Sequence, residues 1–144
     1  MDRMVTPLHQ TSLYRISLYP QYCILKLTWN HPPTSQEFER GTMQFLKQVH
    51  LHQAKKILVD SSQRGDSAPQ DLLWLTHQVV PILCDEEVQQ LALVVPHNPH
   101  HARNLESCLM TSEVCYDLQF FHASADALDW LRCYAGTFKG RSVA

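Results

Sequence analysis

The chain has 144 residues, 44% hydrophobic and 18% charged, the size of one domain and enough to bury roughly 68–70% of its unfolded surface without a disulfide or metal staple. Lys plus Arg is 12 and Asp plus Glu is 14, so a net charge of −2 leaves no broad positive field for nucleic acid. No apolar run reaches the length of about 18 residues that a membrane span needs, and no charged segment leads into a short apolar one, so the expected address is the cytoplasm.

Residues 1–12 mix polar residues with Pro7 and show no periodicity, so they read as a lead-in ahead of the domain. Tyr14, Ile16 and Leu18 alternate with Arg15 and Ser17, and Cys23, Leu25, Leu27 and Trp29 alternate with Ile24, Lys26 and Thr28 beyond Pro20-Gln21; the pair predicts a β-hairpin. Thr34-Ser35-Gln36-Glu37 has capping-box spacing and opens a helix whose stripe runs through Phe38, Thr42, Phe45, Leu46 and Val49 to about His50.

Ile57-Leu58-Val59 is a short apolar run suited to a strand buried on both faces, ending at Asp60. After the polar stretch through Ser67, Ala68-Pro69 starts a helix that is apolar at Leu72, Leu73, Trp74, Leu75, Val79 and Val80 before Pro81 closes or kinks it. So wide an apolar surface predicts burial on more than one side or an interface, a homodimer included. Leu91 to Val95 forms the next buried strand, followed by a helix carrying Ala102, Leu105 and Leu109. Tyr116, Leu118 and Phe120 alternate as an edge strand would, and Ser124 caps a last helix with Ala127, Leu128, Leu131 and Tyr134 on one face and Trp130 beside it. The expected fold class is α/β in a single domain over residues 13–135, with residues 136–144 a tail. Its sheet is mainly parallel and five-stranded with four helices, in the order ββαβαβαβα.

Five cysteines, Cys23, Cys84, Cys108, Cys115 and Cys133, are odd in number and include no C-x-x-C pair, so reduced thiols are expected, with Cys23 and Cys133 as small buried hydrophobes. His97, His100 and His101 form H-x-x-H-H, but no acidic or thiol partner stands at ligand spacing and Pro96 and Pro99 mark a solvated loop; no metal or cofactor is expected.

In such a sheet the loops at the carboxyl ends of the parallel strands meet along one edge, where open α/β sheets hold ligands. They supply Trp29, Asn30 and His31, then Asp60, Ser61, Ser62 and Arg64, then His97, Asn98 and His100, then His122 and Ser124. Asp60, Ser61, Ser62, Arg64, Ser67, His97 and Asn98, with Trp74, are the candidate partner or ligand rim. Ser61 or Ser62 with His97 and Asp60 has the composition of a hydrolytic triad but no G-x-S-x-G elbow, and with only 4 Gly there is no phosphate-cradling loop, so no enzyme is expected.

Leu27-Thr28-Trp29, Ser35-Gln36-Glu37-Phe38, Ile57-Leu58-Val59-Asp60, Asp71-Leu72-Leu73-Trp74-Leu75 with Pro81, Leu91-Ala92-Leu93-Val94-Val95-Pro96 and Ala127-Leu128-Asp129-Trp130-Leu131 together resemble small bacterial proteins of the STAS-like group, over roughly residues 13–135. That group is similar in fold to the anti-sigma factor antagonists and more distantly to the Sec14 lipid-transfer domain. The first likeness implies a non-enzymatic cytoplasmic regulator that binds a protein partner. The second implies a carrier of an apolar ligand, with Trp29, Trp74 and Phe121 lining its cavity. In the antagonists an Asp-Ser pair at the start of the helix after the third strand carries a phosphate, and Asp66-Ser67 stands at that place, although Ala68-Pro69-Gln70-Asp71 replaces the expected Ser-Gly-Leu-Gly continuation. The residues themselves make Ser67 a helix N-cap.

Overall fold

The computed structural model describes residues 5–133. Its strands are β1 (Thr6–Gln10), β2 (Tyr14–Tyr19), β3 (Ile24–Trp29), β4 (Lys56–Asp60), β5 (Gln90–Val94) and β6 (Asp117–Phe121). The helices are α1 (Ser35–His52), α2 (Pro69–Trp74), α3 (Val80–Asp85), α4 (Pro99–Met110) and α5 (Ser124–Cys133). All six strands form one mixed α/β sheet in the order β1-β2-β3-β4-β5-β6; β1 to β3 are antiparallel neighbours and β3 to β6 run parallel.

The sheet therefore has six strands where five were expected, because part of the supposed lead-in is β1. Proline is tolerated there since an edge strand can leave one side of its ladder unmade, and the register slips between Pro7 and His9, which erases the alternation.

From β3 onward each crossover steps one place in the same direction. Crossovers of one hand then set every connecting helix on the same face. Leu25, Leu27, Ile57 and Leu93 accordingly pack under Phe45 of α1, Leu83 of α3 and Leu105 of α4. Among the described residues only α5 covers the opposite face, laying Ala127 and Leu131 on Ile24, Leu58, Ala92 and Val94. Lying between both layers, β4 and β5 read as unbroken apolar runs.

Helix α1 starts as its spacing predicts: Thr34 accepts from the Glu37 amide and the Glu37 carboxylate accepts from the Thr34 amide. It lies so close to the sheet that a Cβ on Gly41 would stand 2.7 Å from Trp29 Cη2 and 3.0 Å from Tyr14 Cε2.

The helix after the polar loop is α2, a π-helical turn over Leu75–Val79, and α3 in succession. Pro81 has no N–H and crowds the carbonyl four residues back. Just before it the chain widens, with the Val80 amide donating five residues back to Leu75 O. The broad apolar surface is spent mainly inside the fold: Val79 and Val80 are buried, Leu72, Trp74 and Leu75 are half-buried, and Leu73 is exposed.

The thiol expectation is corrected in three places. Cys84 at the end of α3 is disulfide-bonded to Cys115 in the loop before β6. Cys23 is exposed at the β2–β3 turn, in the left-handed region at φ 56°, and Cys133 is exposed on α5. Ser124 is the first residue of α5 rather than its cap, and its hydroxyl is buried without a hydrogen-bond partner. Tyr134 and residues 136–144 lie outside the described residues.

Candidate functional site

The loop between β4 and α2 is where the expected rim turns inward. Asp60 at the end of β4 accepts from the Ser62 amide at 3.0 Å and from the Ser62 hydroxyl at 2.7 Å, a local turn that occupies the hydroxyl. His97 meets this loop through its backbone, its amide donating to Ser62 O at 3.3 Å, so serine, histidine and aspartate do not form a relay. Gly65, at φ +82°, then turns the chain back against Pro32. Asp66 accepts from Asn104 Nδ2 at 3.1 Å and from the Ser67 amide at 3.0 Å, fastening the loop to α4; the Asn104 bond, first among several causes, holds the Asp66 carboxyl below its ordinary range.

That turn points Arg64 into the protein, where it is only 3% exposed. Its guanidinium lies 4.2 Å above the Phe38 ring. Nη1 donates to Ser67 Oγ at 2.7 Å and to Asp66 O at 3.2 Å, and Nη2 stands 3.6 Å from Asp71 Oδ2. Burial lowers the Arg64 pKa, and the charges of Asp71 and Asp66 oppose that shift. Asp71 Oδ1 is buried with no hydrogen-bond partner.

Ser67 therefore does not cap α2. The cap residue is Ala68, with no side-chain bond, and the Ser67 hydroxyl is turned in toward Arg64 on a residue 8% exposed. A buried guanidinium needs acceptors more than an exposed helix start does, and Pro69 already removes one of the orphan amides that a cap would satisfy.

Behind Arg64, between the sheet and the helices, lies a void of about 80 Å³. Ser61, Arg64, Trp29 and Phe38 line one end, and Leu83, Leu109 and Tyr116 line the other. Leu75, Val79 and Val80, from the π turn and its exit, form part of its wall. Trp74 and Phe121 do not line it: Trp74 packs edge-on against Phe38 and faces a groove beside α1, while Phe121 stacks near Trp130 on the α5 side. Thr42, Ser61 and Arg64 are the buried polar residues on its wall, at 5%, 2% and 3% exposure, and Tyr116 adds a phenol whose pKa burial raises to about 12.

The remaining rim residues are separate from this site. Asn98 caps α4, accepting from the His100 and His101 amides at 2.8 and 3.2 Å. His31, His97, His100 and His122 are exposed. Among the described residues no three His, Cys, Asp or Glu side chains stand as a metal site would require, and no helix is long and apolar enough to cross a membrane. Sequence reasoning missed Thr42, Tyr116 and Asp71. The one available signal was Asp71, a carboxylate set directly before Leu72, Leu73 and Trp74. Comparison with known proteins finds no matching family model, no matching curated protein and no matching solved structure.

Proposed function

We propose that the chain is a binding protein that encloses a small apolar ligand, and the observation that carries this reading is the interior void. Protein cores are packed as tightly as organic crystals, with few gaps larger than one water. A void of about 80 Å³ is roughly five to eight times the minimum a single water needs. Its wall is mostly leucine, valine and aromatic carbon, and such cavities stay dry and take up apolar molecules. The π-helical turn in the wall agrees with this, since such turns recur at functional sites. The resemblance to the STAS-like group agrees with it on the Sec14 side, where the relatives carry apolar ligands. Binding rather than turnover fits a loop whose Ser62 hydroxyl is bonded to Asp60 and which His97 meets through its backbone amide.

The test has two arms. Titration of the purified chain with cyclohexane, followed by methyl NMR, is expected to shift resonances of Leu75, Val79 and Leu109 before those of the α5 face. Native mass spectrometry of protein isolated from cells is expected to show a retained small molecule. No shift with cyclohexane would overturn the reading. A retained protein in place of a small molecule, lost in Leu73→Ser, would favour the regulatory reading instead; Leu73 and Met110, 60% and 70% exposed on α2 and α4, are the observation on its side.

A further inference from the structure

We infer that the Cys84–Cys115 disulfide is a redox latch on the void, so that a dithiol reductant which opens the bond speeds the entry and exit of the apolar ligand. The inference rests on the binding reading above and specifies how that site is regulated.

The void is interior, so a molecule enters or leaves it only when part of the wall opens locally. One stretch of that wall is thin. A groove on the outer surface is lined by Val80, Cys84, Cys108 and Thr111, while the void behind it is lined by Val80, Leu83 and Leu109. Val80 borders both spaces. Of the neighbours Leu83 and Cys84, and again of Leu109 and Cys108, the leucine borders the void and the cysteine the groove, so a single layer of α3 and α4 separates the two. The disulfide fastens this layer, because each of its halves is the chain neighbour of a wall residue: Cys84 follows Leu83 at the end of α3, and Cys115 precedes Tyr116. Residues 113–116 lie outside every helix and strand, and the bond ties them covalently to α3 with the two Cα atoms 5.4 Å apart. Once it is broken, Leu83 and Tyr116 can part while the sheet stays paired.

The bond is also open to exchange. Cys115 is exposed and Cys84 half-buried, so the thiolate of a dithiol reaches Cys115 Sγ first. It forms a mixed disulfide there and releases Cys84 as a thiolate, which takes up a proton. The second thiol of the reductant then attacks the reductant's own sulfur in that mixed disulfide and releases Cys115, which takes the proton the second thiol gives up. Two electrons pass from the dithiol, which becomes a disulfide, to the protein, which gains two thiols. Cys108, in the same groove, does not intercept the exchange: burial raises its pKa and its thiol donates to Leu72 O at 3.7 Å, so it carries little of the reactive thiolate.

The experiment follows cyclohexane exchange by NMR at the Leu75, Val79 and Leu109 methyls in four samples of the full chain. They are the oxidised wild type, the wild type with dithiothreitol, Cys84→Ser/Cys115→Ser, and Leu131→Ala, which opens a cavity under α5 on the opposite face and keeps the bond. The expected result is a dissociation rate about tenfold faster after reduction and in the double variant, and within about twofold of the oxidised wild type in Leu131→Ala. Methyl dispersion reports that each form is folded. The inference is overturned if reduction and the double variant leave the rate unchanged, if Leu131→Ala speeds exchange as much as they do, or if the reduced chain loses its dispersion, since a latch needs a folded open state. Those results leave the apolar-ligand reading standing. Failure of cyclohexane to shift any of the four samples removes both.

Discussion

Tyr116 shows how burial turns one side chain into a pH sensor of the fold. Desolvation raises its phenol from 10.0 to about 12, so the folded state holds the neutral form more tightly than the unfolded chain does. A raised folded pKa contributes stability that is complete below the unfolded value and is lost as pH rises through the folded one. Urea midpoints should therefore fall between pH 10 and 12 more steeply in the wild type than in Tyr116→Phe, and parallel curves for the two proteins would contradict this. Arg64 shows the limit of sequence reading at the same scale. It belongs to a polar loop and reads as a solvated rim residue, and only Gly65's turn, the Phe38 ring and Asp71 bring it inside. None of the three is its neighbour in an amphipathic pattern. Ser67 was misread for the same reason, since its hydroxyl serves a partner three residues back instead of the helix that follows.

Among the elements, those with a regular burial period, a cap signature or an unbroken apolar run were legible. The β2–β3 hairpin, the capping box of α1 and the two apolar strands β4 and β5 stand where their patterns put them. What escaped was β1, where a bulge and Pro7 remove the period, and the π turn, which answers a proline six residues after its first residue. The void could not be read at all, because it is volume left over when helices from three crossovers meet and no residue encodes it alone. Gly41 in α1 is the counterpart, a place where the packing leaves no volume. Alanine there would gain about 1 kcal/mol of helix propensity, yet its methyl would overlap the Trp29 ring, which is fully buried and has nowhere to move. Overpacking of this kind costs about 1–3 kcal/mol. Gly41→Ala should thus lower the unfolding free energy in a denaturant melt, and a stabilised variant would mean that α1 can shift away from the sheet.

For the molecule as a whole, the Cys84–Cys115 bond ties the end of α3 to the start of β6, adjoining Leu83 and Tyr116 at one end of the void. Its 31-residue separation corresponds to a loop-closure contribution of about 4 kcal/mol, of which strain or residual structure can remove part. Guanidinium melts with and without dithiothreitol should differ by about 2–4 kcal/mol in the wild type. They should coincide in Cys84→Ala/Cys115→Ala, and coincidence in both proteins would mean that the bond does not close in solution. The odd cysteine count hid this pair, since three of the five thiols are free and the two that bond come together only through the fold.

The sheet order has a temporal consequence. Strands succeed one another in space as they do in the chain, so each new strand pairs with the one just made and no later strand must be inserted between two earlier ones. During synthesis, at about 5–20 residues per second from the amino end, the hairpin and each βα unit can settle on the growing edge as they emerge. Until β6 arrives the apolar strand β5 is that edge, and until α5 arrives the apolar residues Leu58 and Ala92 face water. Among the stages of making the described sheet, the nascent protein is thus most exposed to aggregation just before β6 and α5 are made.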